Sequence, residues 1–261
     1  MHYVVSGLAG VALVCYVIRE VVRMHRNYPQ LKQAAAQGDL EARMRFYARA
    51  LRVEWVSALL ALAALGFDKT KLMATALQMG DTAFGHWISS QRITAKPALA
   101  GLATGLIIGL VGLSIARLRA RSRAPAVAAS EVKPWFRKLV PDFAALIPVT
   151  ARERLFFAAV AVSAGICEEV VFRGWLLYVL HRLDGLNGTA LILLAAALFG
   201  LCHTYQGVTG VVGTTMAGVL LAALYVATGT LLVPIVLHCL IDLRMAILPT
   251  NRPQDQVRQE T

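Results

Sequence analysis

Residues 150–183 read TARERLFFAAVAVSAGICEEVVFRGWLLYVLHRL. Thr150 followed three positions on by Glu153 is a capping box, so a helix starts here. An apolar run continues from it to about Leu183, long enough to cross the roughly 30 Å hydrocarbon core of a bilayer. Yet its middle carries Glu168, Glu169 and Arg173. An ionisable residue at the centre of a membrane helix costs at least about 2.5–3.5 kcal/mol on insertion scales, so residues kept there are functional candidates by default. This stretch therefore sets both the fold class and the place to look for chemistry.

Outward from it, the composition fits the same class. The chain of 261 residues is 57% hydrophobic and 16% charged, with a mean hydropathy of +0.61. That is more apolar surface than one soluble domain of this size buries, and the excess has to face lipid. The apolar runs are continuous rather than alternating, which selects helices over a barrel. The expected fold is all-α, a polytopic transmembrane helix bundle of about seven spans with a four-helix catalytic core in the C-terminal half. The expected spans are 3–18, 53–67, 97–115, 150–183, 189–203, 210–227 and 231–248. Glu54 falls at the edge of the second of these.

Between the runs lie the basic residues that give the net charge of +11. They have no aromatic interleaving and no nucleic-acid module, so they read as orientation signals and nucleic acid is not an expected partner. Arg19, Arg23, Arg26, Lys32, Arg43, Arg45, Arg49 and Arg52 place the gap after the first run in the cytoplasm and the N-terminus outside. The first run lacks the pattern of a removable signal peptide and reads as a retained anchor. Four units are expected: N-terminal transmembrane helices over 1–117, a basic cytoplasmic linker over 118–149, a catalytic core over 150–249 and a polar cytoplasmic tail over 250–261. Part of 68–96 is expected as an interfacial helix near Trp87. Gly101, Gly105, Gly109 and Gly112 mark a close-packing seam in the third run.

The four cysteines Cys15, Cys167, Cys202 and Cys239 all lie in apolar runs without CxxC pairing, which excludes a secreted disulfide framework. No internal repeat is visible, as many secondary transporters would require.

Chemistry-bearing residues recur in three of the last four spans. Glu169 and Arg173 stand four apart on one helical face and can neutralise one another. Glu168 points about 100° away and is left without a local cation, as a general base requires. Phe199 and His203 share a face one span later, and His238 and Asp242 share another in the last span. A carboxylate and two imidazoles converging on a small cavity can activate water and stabilise an oxyanion, the two needs of amide hydrolysis. Taken singly, the Glu169–Arg173 pair also reads as a structural ion pair, His203 as an interfacial hydrogen bonder and His238–Asp242 as a local helix pair. Five or six such residues in neighbouring spans are hard to explain as packing alone.

Glu168-Glu169-Val-Val-Phe-Arg173, Phe199-Gly-Leu-Cys-His203 and His238-Cys-Leu-Ile-Asp242, in this order, resemble the EExxxR, FxxxH and HxxxN/D motifs of the CPBP intramembrane proteases. That family includes the CAAX prenyl endopeptidases and bacterial bacteriocin-processing and self-immunity proteins. The resemblance covers about 150–245 and does not reach the front of the chain. It implies that Glu168 with His203 activates the attacking water while His238 and Asp242 bind the oxyanion. An Asn amide donates to an oxyanion and an ionised Asp does not, so Asp242 is protonated, orients His238 or binds something else.

Two mechanisms remain open. The favoured one needs no cofactor. The other has Glu168, His203, His238 and Asp242 ligating a divalent metal such as zinc, although no HExxH segment is present and no separate base is evident unless Glu169 leaves Arg173. The expected function is an intramembrane endopeptidase acting on a membrane-embedded or membrane-anchored protein or peptide, in a bacterial inner membrane. A non-catalytic immunity or partner-binding protein, or a proton-coupled transporter, would use the same buried residues differently.

Overall fold

The computed structural model describes residues 2–68, 72, 144–182 and 188–246, and these are helical with short turns and no strand. The expected third span at 97–115, its glycine seam, the interfacial helix near Trp87, most of the 118–149 linker and the 250–261 tail lie outside the described residues. Helices α1 (His2–Ala36), α2 (Leu40–Ala64), α3 (Ala151–Glu169), α4 (Leu177–His181), α5 (Gly188–Leu201), α6 (Gly207–Thr228) and α7 (Leu232–Ala246) come in this order. A π-helical stretch, Val170–Leu176, joins α3 to α4 without a break.

Among the described residues, three helices are long and apolar enough to cross a membrane: Val4–Ala36, Ala151–His181 and Thr204–Thr228. Gly188–Leu201 is apolar but shorter. Large apolar side chains face outward as they do toward lipid. On α6, Val208, Val212, Met216 and Leu220 form an i, i+4 stripe with exposures from 49% to 77%. On α1, Val4, Leu8, Val11 and Ile18 are similarly open. In water such stripes would be aggregation surfaces, whereas hydrocarbon solvates them without cost.

The front of the chain differs from the expected loop and short span. The basic segment after residue 18 is not a loop: α1 continues through it to Ala36, and α2 begins at Leu40, well before the expected 53. The reason is local. Gly38 takes a left-handed φ of 81° and Asp39 caps α2 by accepting from the Ala42 amide at 3.0 Å, so the whole connection fits between two long helices. Charged residues with good helix propensity extend both helices beyond the apolar window. As a consequence Glu54 lies well inside α2 rather than at the edge of a span.

Buried contacts fix this hairpin to α3. Arg43 donates to the Ala145 carbonyl at 3.2 Å and pairs with Glu153 at 3.4 Å, and both side chains are almost fully buried. Tyr47 donates to the Leu146 carbonyl at 2.9 Å and Trp55 to Ser163 Oγ at 3.1 Å. The expected capping box is present: Thr150 Oγ1 accepts from the Glu153 amide, and the Glu153 carboxylate accepts from the Thr150 amide at 2.8 Å. Glu153 thus caps α3 and anchors α2 at once. Glu153→Gln is expected to lower stability by about 1–3 kcal/mol through the lost charge-assisted bonds. Thermal unfolding in detergent checks it, with an unchanged Tm as the contrary result.

Behind the hairpin, α3 packs on α2 and α7, α5 on α6, and α7 also on α6. Leu13, Ala61, Val171, Phe172 and Phe199 join α1, α2, the π-helical stretch and α5 in one cluster. Leu177, Leu180, Ile192, Ala222 and Tyr225 knit α4, α5 and α6 in another. The α6–α7 connection turns at Gly229, whose φ of 73° needs a residue without Cβ.

Candidate active site

The six candidate residues occupy the positions that these packings bring together. Glu168 and Glu169 close α3, and Arg173 sits in the π-helical stretch, a local geometry often found where a functional side chain must be re-aimed. His203 lies just after α5, and His238 and Asp242 project from α7.

Arg173 and Glu169 pair at 2.7 Å and are 2% and 0% exposed, so their charges are met inside the protein. A second guanidinium nitrogen donates to the Gly218 carbonyl on α6 at 3.1 Å. The guanidinium also lies 4.8 Å from the centre of the Phe199 ring on α5, a cation–π distance. The oxygen of Glu169 that holds Arg173 also holds His238 Nδ1 at 2.8 Å. A carboxylate only accepts, so Nδ1 carries the hydrogen and Nε2 is directed elsewhere. Nε2 faces Glu168 at 3.8 Å and Asp242 at 3.6 Å. One ion pair therefore ties α3, α5, α6 and α7 together and sets the orientation of a histidine.

His203 is oriented in the same manner. Its Nδ1 lies 2.9 Å from the Phe199 carbonyl, which only accepts, so Nδ1–H donates and Nε2 of the neutral ring keeps its lone pair. The ring also packs on Phe199, with centroids 4.9 Å apart. The FxxxH spacing thus serves two contacts, the aromatic ring beneath the imidazole and the carbonyl that fixes its tautomer.

Glu168, His203, His238 and Asp242 all line one cavity of about 450 Å³. Glu168 is 24% exposed against none for Glu169, in keeping with their 100° separation on the helix. The arrangement offers a carboxylate and a free imidazole nitrogen to water, and a second imidazole held by a buried anion. Among the described residues no group of three or more His, Cys, Asp or Glu side chains is placed to hold a metal ion.

Residues 150–244 match the family model described as Rce1-like, type II CAAX prenyl endopeptidase Rce1-like. Over this segment the chain is similar to the type II CAAX prenyl endopeptidases. Neither the curated proteins nor the solved structures give a match. The match to a membrane protease family and the long apolar helices among the described residues together indicate an integral membrane protein.

Close approach of α3 to α7 brings the first and last motifs of the matched segment into contact. A Cβ on Gly165 would overlap Cys239 Sγ and stand 2.9 Å from the Cys239 amide nitrogen. Small residues beside Glu168 and His238 are therefore needed where the helices cross, which also accounts for Cys239 next to His238. Gly165→Ala is expected to lower cleavage by about a hundredfold, because a shift of about 1 Å misplaces His238 against the carboxylates. A peptide-cleavage assay at matched folded fraction reads this, and an unchanged rate would mean the crossing has slack.

The cavity has walls that the motifs do not announce. Glu20 of α1, Glu54 of α2, Gln206 before α6 and Arg244 of α7 all line it. Glu54 was detectable as an acidic residue in an apolar run, and its depth was hidden by the late start that hydropathy assigns to α2. Gln206 had no signal in the sequence, being one neutral polar residue in a short connection.

Proposed function

We propose that the chain is an intramembrane endopeptidase of the glutamate type, acting on a membrane-embedded or membrane-anchored protein or peptide. The observation that carries this reading is the convergence of Glu168, His203, His238 and Asp242 on one cavity, with Glu169 and Arg173 holding His238 from behind. Water between Glu168 and His203 gives a proton to the carboxylate as its oxygen attacks the scissile carbonyl. The carbonyl oxygen becomes an oxyanion and accepts a hydrogen bond from Nε2–H of His238, which as an imidazolium donates from Nδ1 to Glu169 at the same time. The proton then passes to the leaving nitrogen, the C–N bond breaks, and a new carboxyl and a free amine result.

Asp242, 3.6 Å from the same Nε2, acts on this donor as an electrostatic partner of the imidazolium rather than through a hydrogen bond. That assignment removes the difficulty of an anionic residue in an oxyanion pocket, since the oxyanion is met by His238. Glu169 and Arg173 are positioning residues. The proposed topology has about seven spans, the N-terminus outside and the C-terminus cytoplasmic, in a bacterial inner membrane, with 150–249 as the catalytic unit. The metal-dependent version and the non-catalytic binding version both stand as outcomes of the test.

Substrates are found by comparing the termini of membrane peptides from cells with and without the protein, then cleaving the candidates with purified wild-type protein. New termini that the pure protein reproduces establish the peptidase. Termini that are identical in both cells, with a biological effect intact, point to a binding or immunity protein.

A further inference from the structure

Glu54 belongs to α2, outside the residues that match the family, and it faces the same cavity as Glu168 and Asp242. Its Oε2 is closed to water and has no hydrogen-bond partner. The charges acting on it are those of Glu168 and Asp242, both negative. Every other described acid around the cavity has a cation in reach. Glu20 is held by Arg19 at 2.9 Å and Arg23 at 3.1 Å. Asp242 interacts with His238, His203 and Arg244, and Glu168 faces His238 at 3.8 Å. Among the described acids of the cavity, Glu54 alone has no compensating charge.

A second orphan points the same way. Gln206 is 6% exposed and lines this cavity, and its Oε1 has no partner. Its amide nitrogen is already engaged, donating to Tyr205 at 3.0 Å. The groups left unmet in the cavity, among the described residues, are therefore acceptors, one of them on a carboxylate. Buried acceptors without donors are costly, and the cost is recovered when a ligand brings a donor with positive charge.

We propose that Glu54 is a specificity residue that receives a lysine or arginine side chain of the polypeptide entering the cavity, with Gln206 Oε1 as a second acceptor. The identity of that polypeptide as a substrate rests on the peptidase reading. The preference itself is a matter of binding. It assigns to the N-terminal hairpin a role in choosing substrate, so that the catalytic motifs and the selectivity come from different parts of the chain.

The test uses the full-length Glu168→Gln protein in lipid nanodiscs, so that binding is read without turnover. The probes are fluorescent apolar peptides in which one lysine, or one norleucine of similar length, is moved through successive positions. Lysine at one position is expected to bind about tenfold tighter than norleucine there. Adding Glu54→Gln should bring the two within about twofold while leaving norleucine binding unchanged, and Glu54→Asp should keep part of the preference. Unchanged norleucine binding also reports that the variant is folded. Equal binding of both peptides at every position, or a preference indifferent to Glu54→Gln, overturns the proposal. Cleavage of the same peptides by wild-type protein is scored separately. A Glu54-dependent preference without cleavage would overturn the peptidase reading and leave the cation subsite standing.

Discussion

Glu168→Gln is expected to lower kcat/KM by at least about a thousandfold while leaving peptide affinity within about threefold. Gln keeps the size and one acceptor oxygen of the carboxylate and removes its ability to take a proton. The side chain is partly open to the cavity and its nearest described cation is the His238 ring at 3.8 Å, so only this long contact is weakened with it. The effect should therefore fall on kcat. A thermal melt close to wild type, with cleavage gone, is the expected signature. A strong chelator should leave wild-type cleavage intact, whereas loss of cleavage in chelator would move the water to a metal held by some or all of Glu168, His203, His238 and Asp242. Undiminished processing by Glu168→Gln would sink the glutamate mechanism outright.

Arg173→Met should have the largest effect on the fold, a loss of about 3–5 kcal/mol. Glu169 would then keep a buried negative charge with only His238 beside it, since its second oxygen has no partner. The guanidinium's bond to the Gly218 carbonyl would also be lost, loosening α6 from the π-helical stretch. Removing both charges should cost less than removing one. In the double variant Glu169→Gln/Arg173→Met the amide oxygen can still accept from His238 Nδ1, and at least half of the lost stability is expected to return. Thermal unfolding of the four proteins of this cycle measures the coupling. Additive losses would show that the pair is two independent residues rather than one buried unit. Activity need not return with stability, because a neutral partner orients His238 without supplying the anion behind it.

The motifs were readable because each is a short-range pattern whose physics is contained in one helix. Four-residue spacing puts Glu169 beside Arg173 and Phe199 beneath His203 whatever the rest of the chain does, and both contacts are present. The start of α3 was readable for the same reason, since Thr150 and Glu153 satisfy each other locally. The continuous apolar runs likewise required helices with lipid-facing surfaces.

The convergence on a cavity was expected from the motifs taken together, but the contacts made there were not readable, because they depend on which helix faces meet. That Glu169 binds His238, 69 positions away, results from the crossing of α3 and α7 at Gly165 and Cys239. The π-helical stretch Val170–Leu176 has no recognisable signature in the sequence. The front of the chain was misread where hydropathy alone drew the boundaries, since helix continuity there comes from backbone caps and from burial of Arg43 against α3.

By itself, then, the sequence determined that the chain is a helical membrane protein, where its protease motifs lie and which of their side chains pair within a helix. Only the tertiary structure decided that His238 is held by Glu169, that the hairpin forms a wall of the cavity and that Glu54 is left without a cation among the described residues. Periodicity is a property of one helix and is written along it, while the partner of a buried charge is chosen across helices by packing.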